Sequence, residues 1–166
     1  MPLLTIDKLI DIRRISTTFN QDRFDSFAKE ADDVHLRLLL GDSLYLDLIN
    51  NTTDAKYITL LNGEDYVKSG ETVRYFGLYP FLSYAWLFIN SVEGSEFQSN
   101  IGTVQFNQQN QNTNRPPNKS SGKKYQDSMI IYRNNIIDYL NCNKNTYTLW
   151  KGNDKENRGK FSLIHL

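Results

Sequence analysis

Apolar positions along the chain fall into two rhythms. In 20-NQDRFDSFAKEADDVHLRLLLG-41 the residues Phe24, Phe27, Ala31, Val34 and Leu38 recur at spacings of 3, 4, 3 and 4, which is one stripe on a helix. Asn20 or Asp22 is its N-cap, Asp22 and Asp25 suit the positive end of its dipole, and Gly41 ends it. Upstream, residues 3–19 begin extended and pass from Asp7 into a short helix, with Thr5 or Asp7 as cap. Downstream, 42-DSLYLDLINN-51 reads as a shorter helix with Leu44, Leu48 and Tyr45 inward. A last stripe, Tyr125, Met129, Tyr132, Ile136 and Leu140, predicts a helix over residues 123–141.

The second rhythm is alternation. Tyr66-Val67 and Thr72 to Tyr75 are β-formers flanking the Lys68-to-Glu71 turn, with its Ser69-Gly70 dipeptide, and together they predict a hairpin. Two strands alone are barely stable in water, so the ribbon must pack on something. Directly after it comes 78-LYPFLSYAWLFIN-90, apolar around most of a helix, with Pro80 in the first turn. A helix of that kind is central in its bundle, or is covered on one side by its own domain and on the other by a neighbour.

Residues 92–122 change character. The segment 105-QFNQQNQNTN-114 is dominated by Asn and Gln, and 115-RPPNKSSG-122 by Pro, Ser and Gly, which predicts a long polar loop. The chain closes on two apolar patches, Leu149-Trp150 and Phe161, Leu163, Ile164 and Leu166, around a charged middle. The fold expected is mainly α: a small bundle of three or four helices with a β-ribbon at about 64–76 and an extended loop and tail. The helical domain is placed at residues 1–146 and the tail at 147–166.

Composition narrows the function. The chain has 166 residues and carries 19 basic and 19 acidic side chains, which suits one domain and argues against a phosphate-gripping surface. One cysteine, Cys142, permits no internal disulfide and no thiolate metal cluster. The longest apolar run is about a dozen residues, short of the roughly 20 of a membrane span. The opening Met1-Pro2-Leu3-Leu4, with Asp7 and Lys8 close behind, does not read as a secretion signal. Synthesis in a cytoplasm is expected.

Candidate chemistry is thin. His35 and His165 lack an i, i+4 ligand partner, and the glycines form no phosphate-cradling pattern. Asp32-Asp33 with Glu30 form a carboxylate group on what reads as the polar face of the long helix; a solvated surface explains it better than acid–base work. Ser162 and His165 have no nucleophile elbow around them. No catalytic, metal or cofactor residue is singled out, and no enzyme activity is expected. What stands out is apolar surface, which marks protein contacts. The interface candidates are Tyr66, Val73, Tyr75, Trp86, Tyr147, Trp150, Phe161, Leu163, Ile164 and Leu166, the last four as a strand-adding tail.

The order of motifs carries a resemblance. Gly41-Asp42-Ser43-Leu44-Tyr45 follows the first long helix. Then come Leu60-Leu61-Asn62-Gly63, the ribbon from Tyr66 to Leu78, the Tyr/Trp-rich helix, a polar loop, a last helix and Tyr147-Thr148-Leu149-Trp150-Lys151-Gly152. From about residue 20 to 152 this resembles the head–tail connector (adaptor) proteins of tailed bacteriophages, especially those of crAss-like phages. The Gln/Asn-rich loop and the last dozen residues lie outside it. The resemblance implies a helical neck protein that forms a homo-oligomeric, dodecameric ring beneath the portal protein. Such a ring extends the DNA channel without gripping DNA specifically, and docks the adjacent neck or tail proteins in the virion. Each subunit of a ring has two neighbours. On that reading Gln105, Asn107, Gln109, Gln111 and Asn114 line the channel or bridge subunits, and the near-neutral charge suits the passage of DNA. The alternatives are another virion component, such as a tail-completion protein, and a small soluble interaction protein of the host.

Overall fold

The computed structural model describes residues 2–13, 20–93, 96–99, 102–105 and 119–152. Among them the protein is mainly helical with a small antiparallel ribbon, as the sequence patterns predict, and it has a second such ribbon. Helix α1 (Ile6–Ile12) is capped by Thr5, whose Oγ1 accepts from Lys8 N. Helix α2 (Gln21–Glu30) is capped by the Asn20 side chain, which accepts from Arg23 N. It runs without a break through a π-helical stretch, Ala31–Leu36, into α3 (Arg37–Leu40), and stops at Gly41 with φ +77°.

The π-helical stretch corrects the predicted stripe. Hydrogen bonds that span five residues instead of four slip the phase of the helix. Phe24, Phe27 and Ala31 are buried as predicted, but Val34 and Leu38 are 40% and 57% exposed. Asp32, His35, Leu36, Leu39 and Leu40 turn inward in their place.

Helix α4 (Asp42–Asn50) buries Leu44, Tyr45 and Leu48, as read from the sequence. Helix α5 (Ala55–Asn62) was not foreseen; it buries Tyr57, Leu60 and Leu61. The first ribbon pairs β1 (Glu64–Lys68) with β2 (Glu71–Tyr75), Tyr66 opposite Val73. Its loop residues Ser69 and Gly70 both have positive φ, 55° and 88°, the two-residue geometry that matches strand twist.

Helix α6 (Leu78–Glu93) is the centre of the bundle, touched by α1, α2, the π-helical stretch and α5. Helix α7 (Lys119–Cys142) packs along it more extensively than any other described element. Leu78, Phe81, Leu82, Ala85, Trp86 and Ile89 are buried within the chain, so the central placement holds. The bundle has six helical rods among the described residues, not three or four. The stretch expected to be one long loop over 92–122 contains a second ribbon, β3 (Glu96–Ser99) with β4 (Gly102–Gln105), and the first turn of α7. Nor does the domain stop at residue 146. Tyr147 hydroxyl donates to Lys56 carbonyl oxygen (2.8 Å), Trp150 Nε1 donates to Asn141 Oδ1 (3.1 Å), and both rings are buried.

Candidate functional site

Two places concentrate polar chemistry, and the first is where the ribbon meets α7. Tyr75 of β2 stacks on Tyr139 of α7, ring centroids 3.8 Å apart and 5° from parallel. Tyr66 meets the same ring edge-on at 5.2 Å. Tyr139 hydroxyl donates to Glu64 Oε1 at 2.5 Å, and Tyr75 hydroxyl donates to Leu60 carbonyl oxygen at 2.8 Å. Burial raises the phenols of Tyr75, Tyr139 and Tyr147 above their ordinary range, and the Glu64 contact adds to this at Tyr139. They stay protonated, and act as donors. Asn135 completes the joint: its Oδ1 accepts from Phe76 N (3.1 Å) and its Nδ2 donates to Arg74 carbonyl oxygen (3.0 Å). One amide thus pairs with the backbone at the end of β2, at Arg74 and Phe76, as a neighbouring strand would.

This arrangement corrects the interface reading for most of its described members. Tyr66, Tyr75, Trp86, Tyr147 and Trp150 are buried inside the chain, and Trp86 Nε1 donates to Phe24 carbonyl oxygen at 3.2 Å. Their apolar area is already covered by their own domain. Val73 is half-buried against the same core. Phe161, Leu163, Ile164 and Leu166 lie outside the described residues, as do Asn107, Gln109, Gln111 and Asn114. Gln105 is described as the last residue of β4.

The second place is a cleft of about 430 Å³ at the α2–α4 face, lined by Pro2, Asp22, Asp25, Ser26, Lys29, Asp32, Asp33, Tyr45 and Ile49. The sequence places Asp32 on a solvated face; the π-helical stretch carries it inward to 3% exposure. Its Oδ2 accepts from Leu3 N at 2.7 Å, while Oδ1 is buried without a hydrogen-bond partner among the described residues. Burial, with a smaller push from Asp33, raises the carboxyl to about 7 against the pull of the Leu3 hydrogen bond. Asp33 accepts from Tyr45 hydroxyl at 2.7 Å. Burial and that hydrogen bond raise the Tyr45 phenol above its ordinary range.

His35, which lacks an i, i+4 ligand partner in the sequence, is also buried. It packs edge-on against Phe88 at 6.3 Å, its Nδ1 has no hydrogen-bond partner among the described residues, and burial lowers its imidazole. No spacing in the sequence marks Asp32 or His35, because the phase slip that buries them is a property of the folded helix. The cleft holds a carboxyl that changes charge near neutral pH, with three further carboxylates and one lysine at its walls. Among the described residues no group of three or more His, Cys, Asp and Glu is placed to hold a metal ion, and no helix is long and apolar enough to cross a membrane.

No curated protein and no solved structure is significantly similar to the chain. One family matches residues 36–160, which run from the end of the π-helical stretch through the ribbon, α6 and α7. The chain belongs to that family, the family of unknown function DUF6712.

Proposed function

We propose that this chain is a structural ring subunit of a tailed-phage neck, seated in the virion between portal and tail, without catalysis of its own. The observation that carries the proposal is where the resembling motifs fall in the fold. Gly41 breaks the first rod from α4. Asn62-Gly63 and Gly77 bracket the ribbon. The Tyr/Trp-rich helix is the axis of the bundle, and Tyr147 and Trp150 fasten the chain after α7. The motifs are therefore joints of one architecture, which supports the resemblance from which this function is proposed by analogy. Exposed apolar side chains on several elements, among them Leu46 on α4, Ile58 on α5, Val67 on β1 and Ile130 and Ile131 on α7, suit a subunit with a neighbour on either side.

The test is assembly with a portal protein from the same genome. Light scattering after size exclusion would follow the chain alone and mixed with assembled portal, and antibody labelling would locate it on particles. A closed ring or a stoichiometric portal complex, with label at the neck, is the expected result. A chain that stays monomeric, does not sediment with portal and is absent from particles overturns the reading.

A further inference from the structure

From the cleft between α2 and α4 we infer a binding site for an organic cation, an alkylammonium or guanidinium group held over Asp32 and Asp33. Four carboxylates (Asp22, Asp25, Asp32 and Asp33) line it against one lysine, Lys29, so the cleft is a sink for positive charge. The acidic walls alone would be a solvated helix end, since Asp22 sits in the first turn of α2 and Asp25 accepts from Gln21 Nε2 at 2.9 Å. Asp32 is different. It is 3% exposed, it lines the cleft, and its Oδ1 has no hydrogen-bond partner among the described residues. A buried carboxylate oxygen left unpaired carries a desolvation cost that a donor of opposite charge removes.

The geometry selects the class of cation. No three acidic or imidazole groups converge to metal-ligand distance among the described residues, which disfavours a bare divalent ion. A guanidinium or ammonium group spreads its donors over two carboxylates and a phenol, and Asp32, Asp33 and Tyr45 supply that set. A cleft of about 430 Å³ lies within the roughly 300–1,000 Å³ usual for small-ligand sites. The π-helical stretch that turns Asp32 inward is the kind of local distortion found at functional sites. The charged and titratable groups around Asp32 are Asp22, Asp25, Lys29, Asp33 and Tyr45 at the cleft and Tyr79 on α6. A bound cation favours the ionised form of Asp32, so binding releases a proton and strengthens as pH rises through about 7. The inference does not depend on the ring reading.

The experiment is an NMR titration of the intact chain with methylguanidinium, spermidine and N-acetyl-arginine amide. Tetramethylammonium at matched ionic strength serves as control. The readouts are the amide signals of Leu3, Asp33 and Tyr45 and the side-chain carboxyl carbon of Asp32. Saturable shifts at pH 8, binding about tenfold or more weaker at pH 5.5, and a lower titration midpoint for Asp32 with ligand bound are expected. Asp32→Asn, which keeps an acceptor for Leu3 N, should fold and bind about tenfold or more weaker at pH 8. Tighter binding of the capped arginine than of spermidine assigns the site to a protein side chain, the reverse assigns it to a free polyamine, and equal binding supports the shared chemistry. Absence of saturation by every probe, equal shifts with tetramethylammonium, or a wild-type titration unchanged between pH 5.5 and 8 overturns the inference without reliance on the variant.

Discussion

Gly63 and Gly77 cross backbone to backbone at the base of the first ribbon. A Cβ on Gly63 would stand 2.3 Å from Tyr75 carbonyl oxygen, and one on Gly77 would stand 2.4 Å from Leu61 carbonyl oxygen. Both residues also have positive φ, +87° and +84°. The chain leaves α5, makes the ribbon and enters α6 through this crossing, so the two glycines set how the ribbon lies on the bundle. Gly63→Ala or Gly77→Ala combines the strain of a positive-φ backbone, on the order of 1–3 kcal/mol, with a backbone clash that no rotamer relieves. Gly70→Ala is the control: its φ is +88°, yet nothing among the described residues lies within 4 Å of the added Cβ. Urea unfolding should show Gly70→Ala destabilised by about 1–2 kcal/mol and each crossing variant by clearly more. Equal losses at all three positions would mean that the crossing is not tight.

The joint between ribbon and α7 makes a second prediction. Asn135 serves both Phe76 N and Arg74 carbonyl oxygen, and each hydrogen bond is worth roughly 0.5–1.5 kcal/mol net. Asn135→Ala should lower stability by about 1–3 kcal/mol, and amide exchange should speed up first at Phe76 and along β2. Exchange that speeds up evenly over the whole chain would show that Asn135 acts on global stability and not on the ribbon edge.

Much of this architecture is legible in the sequence, and the gaps have physical causes. The caps at Thr5 and Asn20, the stop at Gly41, the Ser69-Gly70 turn and the axial helix all follow from local rules, because each depends on neighbours within a few residues. Helix α5 is hidden because its inward residues, Tyr57, Leu60 and Leu61, are too few to establish a period beside the Asn62-Gly63 turn signal. The β3–β4 ribbon is hidden by a composition that reads as loop. The cleft is hidden most completely. A stripe counted at helical spacing carries Val34 and Leu38 inward and Asp32 outward, and the π-helical stretch reverses all three. The apolar surplus that suggested an interface at Trp86, Tyr75 and Tyr147 is real, but its partners are Phe24, Tyr139 and Lys56, all distant in sequence.

Asp32 and His35 predict opposite pH dependences. The Asp32 carboxyl is raised from 3.8 to about 7 in the folded chain, so between these values the folded state binds more protons than the unfolded state. Stability from this group therefore falls as pH rises from about 4 to about 7, and levels off above. His35 is lowered from 6.5, so the unfolded state binds more protons just below that value, and stability from this group falls as pH drops through it. Asp32→Asn removes the first effect and leaves the second. Thermal melts should show the variant more stable than wild type at pH 8, by on the order of 1 kcal/mol or more, with the gap closing by pH 4. A gap that is constant with pH would show that Asp32 does not titrate in this range.

Trp86 and Ile131 separate core from contact surface. Trp86 is buried on α6, lies 5.4 Å from the Phe24 ring and donates to Phe24 carbonyl oxygen. Trp86→Ala removes that packing and should destabilise the isolated chain by about 3–5 kcal/mol. Ile131 is 67% exposed on α7 beside Ile130, which is also exposed. A charge there meets water in the single chain, so Ile131→Glu should alter stability by no more than about 0.5 kcal/mol. In a ring or portal complex that uses this part of α7, the same charge would be buried without a partner, and assembly should weaken sharply. Urea unfolding and light scattering of both variants give four readings. A stable Ile131→Glu chain that no longer assembles places a subunit contact on the outer side of α7. If it assembles as wild type does, the contacts lie on other elements, and Ile58 on α5 and Val67 on β1 are the next positions to charge.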